Sequence, residues 1–564
     1  MDVDLAAALE AATSAPVRRA RGLHVTPRWL ADHLLELVLA DAPTPASVCD
    51  PACGGGAFLL AAARALHARG VPRDEVVCER LWGADIDAVG LAAAEAALAI
   101  WSGGAVPPPG RLVVEDPLRA GDEVWPTGPP EGFDLVVGNP PFQSQLGRAT
   151  ARGRADQLRL RRRFGAAVRA YTDTAWLFLL LGCQLVRPGG RVVMVQPDSL
   201  AAARDAAAVR NAIDALACLD QLWVDDRRVF AAAVRVCAPV LRRLEGTPAL
   251  AGARGAAGGP AVDANGPGAG ERGPVDAGVR AGGAGSAVGE PGRWHDLLAD
   301  ASGVPALRLP VTAGRLGGMA TMLAGFRDEY YGLAVAVREA DPAPGAAPAP
   351  DPVPGGGMRA GGGMRAAAGG ARLVTVGAID FGRSAWGERP VRFAKRRWQA
   401  PIVDLERLAA EGTAAAQRWV HRTRRPKVLV ATQTKVLEVT VDESGDWVPS
   451  VPVIAAVPRR PGDLWRVAAV LASPASTVWL LRRAPGAALA RGALKVATRD
   501  LSDLPLPVDD DAWAAAADAL RAYAAEPGRV ALDAFVEAAT RAQAAPPAVV
   551  AWWRDRLGPI RQPV

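Results

Sequence analysis

The chain has 564 residues, half of them apolar, with 65 Lys and Arg against 59 Asp and Glu for a net charge of +6. That length allows roughly two to four domains with sizeable cores, and the mild basicity is compatible with a nucleic-acid partner without demanding one. Six cysteines without C-x-x-C spacing and five scattered histidines argue against a zinc site or disulfide framework, so no metal is expected.

In chain order, Ser47 to Leu60 (SVCDPACGGGAFLL) reads as a short buried strand, a glycine turn and the start of an Ala/Leu-rich helix. Glycines such as Gly54 and Gly56 at such a junction let backbone approach a ligand closely, at the sheet edge where open α/β folds bind ligands. The pattern is not the G-x-G-x-x-G dinucleotide fingerprint. A second strand ends Trp82-Gly83-Ala84-Asp85-Ile86-Asp87, placing the Asp85 carboxylate to accept from both ribose hydroxyls and Ile86 to lie against an adenine face. A third ends Val113-Val114-Glu115-Asp116-Pro117, with Asp116 suited to an adenine amino group.

Next, Phe133 to Gly138 is an apolar strand that runs into Asn139-Pro140-Pro141-Phe142. The Asn side-chain oxygen and the Pro140 carbonyl can each accept from an exocyclic NH2, and Phe142 offers a flat face for stacking. The two prolines fix their own φ and restrain the residues before them, so the acceptors are preorganised. Beyond lie an expected buried helix from Thr172 to Val186, a turn at Arg187-Pro188-Gly189-Gly190, and strands near 191–197 and 233–240.

Two low-complexity stretches, 246–292 and 341–372, are rich in Gly, Ala and Pro and lack hydrophobic periodicity; they read as a flexible linker and a disordered insert. The longest apolar run, 175–186, is too short to span a bilayer, and the start Met1-Asp2-Val3-Asp4 lacks an export signal's basic region. No membrane association is expected, and the protein should be cytoplasmic.

The ordered series of glycine turn, two strand-end acids and Asn-Pro-Pro-Phe resembles the S-adenosylmethionine-dependent DNA adenine-N6 methyltransferases, in the gamma arrangement of type I and type II modification enzymes. The resemblance covers about residues 20–242, and more loosely 310–510. It implies an α/β, class I (Rossmann-like) methyltransferase fold with a mixed seven-stranded sheet, followed by a C-terminal α+β target recognition domain. The implied organisation is a catalytic domain at 1–245, the linker at 246–292, a recognition domain at 293–510 interrupted by the insert, and a helical segment at 511–564. S-adenosylmethionine is the implied cofactor, held by Thr26, Asp50, Pro51, Ala52, Gly54, Gly56, Asp85, Ile86, Asp116 and Pro117. Asn139, Pro140, Pro141 and Phe142 are the implied catalytic set, and Phe230 a second residue packing on the flipped base. His24 departs from the family's usual residue beside the Thr-Pro pair.

Flipping is required because N6 lies inside the base pair, and the resemblance implies direct in-line transfer with no covalent enzyme intermediate. A cytosine-C5 enzyme would need an activated cysteine after proline, and no Pro-Cys dipeptide occurs; cytosine-N4 enzymes usually carry Ser in place of Asn139. Double-stranded DNA is thus the implied partner, with nucleoid association. Cation-aromatic runs point to contacts from Arg392, Lys395, Arg396 and Arg397, from Arg424, Arg425 and Lys427, and from the run Arg152 to Arg163. The catalytic domain begins almost at the N-terminus, leaving no room for an upstream nuclease, so cleavage would need a separate restriction nuclease or defence subunit. The alternatives are a protein glutamine-N5 methyltransferase, whose family also carries Asn-Pro-Pro-aromatic, and a noncatalytic DNA-binding subunit of a modification complex.

Overall fold

The computed structural model describes residues 26–143, 153–225, 229–230, 235–246, 294–310, 314–340, 370–483 and 493–558. The chain forms two units, Met1–Ala301 and Ser302–Val564. Nearly all of the expected linker and insert, together with residues 226–228 before Phe230, lie outside the described residues.

The first unit is built on strands β1 (Val48–Asp50), β2 (Leu81–Asp85), β3 (Leu112–Val114), β4 (Phe133–Gly138), β5 (Val186–Met194), β6 (Gln196–Pro197), β7 (Ala217–Val224) and β8 (Val236–Arg243). The sheet order is β3-β2-β1-β4-β5-β8, with β7 on the outer side of β8. β1 to β5 pair in parallel, whereas β8 runs antiparallel between β5 and β7. β6 continues β5 past Val195 against the same partner, so the sheet is a mixed one of seven ribbons.

Parallel strands are covered on both faces and therefore read as continuous apolar runs rather than alternating ones. In β4, Leu135 and Val137 pack with Leu30, Leu34, Phe58 and Leu59 on one face. Val136 packs with Leu177 and Leu181 on the other. The helix Thr174–Leu185 is apolar all round because it is buried all round, which is why it shows no amphipathic stripe.

In the second unit, strands Ala320–Ala324, Lys427–Val430, Val439–Asp442 and Ile454–Pro458 form one antiparallel sheet. Strands Val337–Glu339, Gly370–Val374, Pro401–Asp404 and Val448–Pro449 form another. Helices Asp510–Ala525, Arg529–Ala542 and Pro547–Leu557 occupy the expected C-terminal helical stretch.

Two boundaries differ from expectation. The helix Trp294–Ala301 belongs to the first unit, not to a recognition domain starting at 293, because Trp294 is buried there and its indole donates to Asp214 at 2.8 Å. Gly370 to Arg372, assigned by composition to the insert, are the start of a paired strand. The strands Val448–Pro449 and Ile454–Pro458 are separate, because prolines at 449 and 452 cannot donate to a ladder. Among the described residues, no single helix is long and apolar enough to cross a membrane.

Candidate active site

β1, β2 and β4 end at the same edge of the sheet, and the site is built from the residues that follow them. After β1, Asp50 Oδ1 accepts from the Ala52 N–H at 3.0 Å, the Cys53 N–H donates to the Ala84 carbonyl at 3.0 Å, and the Gly56 N–H donates to the Cys53 carbonyl at 2.8 Å. Gly54 and Gly56 have φ of 49° and 84°, a region that disfavours side chains. The two glycines serve different ends. A Cβ on Gly56 would lie 2.8 Å from Ala94 Cβ, so its absence lets the helices Ala57–Ala68 and Ala88–Ser102 approach. A Cβ on Gly54 would meet nothing within 4 Å, which leaves open space over the turn for a ligand.

Asp85 ties the turn to β2. Its Oδ2 accepts from the Gly54 N–H at 2.8 Å and its Oδ1 from the Asp87 N–H at 2.9 Å, leaving one further lone pair on each oxygen. Ile86 beside it is 71% exposed, high for a large apolar side chain. Asp116 Oδ1 accepts from the Leu118 N–H at 3.1 Å, and the carboxylate pairs with Arg119 at 3.1 Å. Burial pushes the carboxyls of both Asp85 and Asp116 above the ordinary range, partly offset by backbone donors. Thr26 and Pro117 are buried, and Pro51 lies buried in the turn.

The glycine turn and the Asn-Pro-Pro-Phe segment touch through Asp50. A Cβ on Gly138 would lie 2.7 Å from Asp50 Oδ1, so the residue before Asn139 must be glycine for β1 and β4 to end side by side. Asp50 is fully enclosed, and its pKa is raised from 3.8 to about 8, chiefly by desolvation and secondarily by Asp85, against the Ala52 hydrogen bond. A raised folded-state value stabilises the fold below pH 3.8, and this contribution is lost as pH rises through about 8. Asp50→Asn cannot ionise. Its melting temperature should therefore gain on the wild type between about pH 4 and about pH 8 and level off above that, each pH step of one in that window costing the wild type up to about 1.4 kcal/mol; parallel melting curves across that range would contradict the assignment.

Asn139 follows β4 on a half-buried loop, and its Nδ2 donates to Thr26 Oγ1 at 3.0 Å. This bond joins residues 113 positions apart and gives Thr26 a role that its sequence neighbourhood did not show. Phe142 is half-buried and meets Phe230 edge to face, ring centres 6.2 Å apart, while Phe230 is 6% exposed.

Asp173 is a further residue that the sequence reading missed. Its Oδ1 accepts from the Gln143 N–H and from the Ala175 N–H, each at 3.0 Å, so one carboxylate caps the buried helix and anchors the backbone after Phe142. The available signal was an Asp directly before a helical apolar run. Asp173→Ala should lose about 0.5–2 kcal/mol of stability and lower turnover, with Asp173→Asn restoring most of both. Equal losses in the two variants, measured by melting and by methylation side by side, would contradict the anchoring role.

Burial, and then the carboxyls of Asp50 and Asp85, push the Cys53 thiol well above its ordinary value.

Of the expected DNA-contacting cations in the second unit, Arg392, Lys395, Arg396, Arg397, Arg424 and Arg425 are exposed. Lys427 is a correction. It is the first residue of its strand and fully buried; its ammonium pairs with Asp442 and donates to the Arg425 carbonyl at 3.3 Å. Asp442 also accepts from Ser444 Oγ, Gly445 N and Trp447 N at 2.8 to 3.0 Å. Lys427 is thus a core ion-pair partner and does not face a phosphate. In the first unit, Arg161 and Arg163 donate to the carbonyls of Val168 and Pro117 at 3.3 and 2.6 Å, so part of that basic run is structural.

Among solved structures, a candidate class I S-adenosylmethionine-dependent methyltransferase from Listeria monocytogenes has 18% identity and a TM-score of 0.33, covering 43% of this chain and 66% of that one. The type I restriction-modification methyltransferase subunit from Streptococcus thermophilus has 20% identity and a TM-score of 0.31, covering 39% of this chain and 45% of that one. The chain thus spans less than two thirds of either protein. The type IIL restriction-modification enzyme MmeI, solved in complex with DNA, is similar in fold over 98% of this chain and 81% of its own, with a TM-score of 0.57 at 10% identity. No curated protein sequence matches. Residues 12–219, which hold most of the sheet and the site described above, match the family model N-6 DNA Methylase.

Proposed function

We propose that the chain transfers a methyl group from S-adenosylmethionine to N6 of an adenine swung out of duplex DNA, as the modification enzyme of a restriction-modification or phage-defence system. The carrying observation is Asn139-Pro140-Pro141-Phe142 at the end of β4, with its amide fixed by Thr26 and its strand end packed against the Asp50 turn. The family match of the first unit and the fold likeness to MmeI support it.

The residues fit the cofactor. Open space lies over Gly54, Asp85 keeps acceptor capacity for two hydroxyls, Ile86 presents an apolar face, and Asp116 can accept from an amino group. When bound, the cofactor supplies an electrophilic methyl group. The chain's part is to hold the acceptor nitrogen. With Nδ2 committed to Thr26, the Asn139 carbonyl oxygen and the Pro140 carbonyl take the two N–H groups of N6, which concentrates electron density on the nitrogen. Phe142 stacks on the base, with Phe230 closing the pocket behind it. Positioning and exclusion of water supply most of the rate, and no strong general base is required. Unstacking the adenine costs a few kcal/mol, repaid by contacts along the DNA.

Incubation with labelled S-adenosylmethionine, duplex DNA and bacterial protein extract tests the substrate class. Label should enter DNA; label in protein with none in DNA would instead favour glutamine-N5 methylation.

A further inference from the structure

Two stretches remote in sequence meet in the second unit. Phe326, 72% exposed, leads into the helix Arg327–Ala334, on which Tyr331 is 58% exposed with the Arg327 guanidinium 5.6 Å from its ring centre. Tyr330 lies 5.3 Å from the Tyr331 ring and 4.8 Å from Phe393, which belongs to the hairpin of Val391–Phe393 and Arg396–Trp398. At the hairpin turn, Ala394 and Lys395 take φ of 49° and 65°, as a tight two-residue turn requires, and the Ala394 N–H donates to Tyr330 Oη at 2.9 Å. A recess of about 310 Å³ opens here, lined by Tyr330, Arg392, Phe393, Ala394 and Lys395.

The charge on this hairpin is unbalanced. Arg392 and Arg397 are direct cross-strand partners, and both are exposed. Like charges placed opposite one another destabilise a ladder, and among the described residues Arg392, Lys395 and Arg397 form no ion pair. An anion lying between them would turn that repulsion into attraction. Exposed aromatic rings beside the cations add flat faces of the kind that sugars and bases pack on. A chain of phosphodiesters carries both features.

We propose that this face is a DNA-backbone site: Arg392, Lys395 and Arg397 hold successive phosphates, and the recess at Tyr330 receives the sugar or base of one nucleotide beside Tyr331. The proposal rests on duplex DNA being the substrate and adds where the second unit grips it. The aromatic half of the face comes from the helix Arg327–Ala334, which no basic run marks.

The test uses the full chain and a fluorescent mixed-sequence duplex of about 30 base pairs, a length that exceeds a single recognition module's footprint. Anisotropy is read at several salt concentrations, with melting and cofactor binding in parallel. Arg392→Gln with Arg397→Gln should weaken binding about tenfold or more at low salt and reduce the slope of log affinity against log salt by about 2, the loss of two phosphate contacts. Tyr331→Ala should weaken binding a few-fold with the slope unchanged. Unchanged affinity and slope in the double variant, or a wild type that binds no duplex, would overturn the site. Methyl transfer separates the two claims. A wild type that methylates DNA together with an unaffected double variant sinks the site alone. A wild type that binds DNA through these arginines but methylates none sinks the N6 reading alone.

Discussion

Asn139→Ala is expected to lower methyl transfer to adenine by about 10²–10³-fold while leaving cofactor and DNA affinity in place. That is the usual cost of removing one preorganised polar group from where charge develops in a transition state. The amide is held by Thr26 at 3.0 Å, and its neighbour Pro140 is buried, so the acceptor is fixed before substrate arrives. Alanine removes the acceptor and strips Thr26 of that donor, yet the half-buried loop loses little packing. The melting temperature should therefore move far less than turnover. Thr26→Val should lower turnover too, by less, because the amide keeps its acceptor but loses the bond that orients it. Rates within a few-fold of wild type in Asn139→Ala would remove Asn139 from the mechanism.

The second large effect is on stability. Asp442→Ala should destabilise the second unit by about 3–5 kcal/mol, because it leaves the Lys427 ammonium buried without its counter-charge. Burial already drives the Lys427 pKa down, and Asp442 is the main group pulling it back up. Asp442 also ties down the turn through Ser444, Gly445 and Trp447. Replacing both partners with apolar side chains, Lys427→Met with Asp442→Leu, should cost less than Asp442→Ala, since the turn still loses its acceptor but no charge is then stranded. Denaturant unfolding of the wild type and these variants checks this. A loss under about 1 kcal/mol in Asp442→Ala would mean that the pair is hydrated in solution and behaves as a surface bridge. The double variant should bind DNA as tightly as the wild type, because Lys427 does not reach the surface.

Much of the first unit was legible because its chemistry is written in short local patterns. A strand followed by glycines, and strands ending in Asp85 and Asn139, can each be read within about ten residues, and the structure places these residues at one edge of the sheet. What escaped was nonlocal. The Thr26–Asn139 bond, the Asp173–Gln143 anchor and the pairing of Tyr330 with the 391–398 hairpin join residues that no window contains together. Lys427 shows the limit most clearly. Beside Arg422, Arg424 and Arg425 it looks like one more member of a solvated basic face, but the strand that begins there turns its side chain inward onto an acid fifteen positions later.

The central claim is that this site methylates the exocyclic nitrogen of adenine. Its most direct test is to incubate the purified chain with labelled S-adenosylmethionine and mixed-sequence duplex DNA, digest the DNA to nucleosides, and identify the labelled species against an Asn139→Ala control. N6-methyladenine that disappears in the control is the predicted result. Labelled N4-methylcytosine, or no labelled nucleoside from a chain shown to bind both cofactor and DNA, would contradict it.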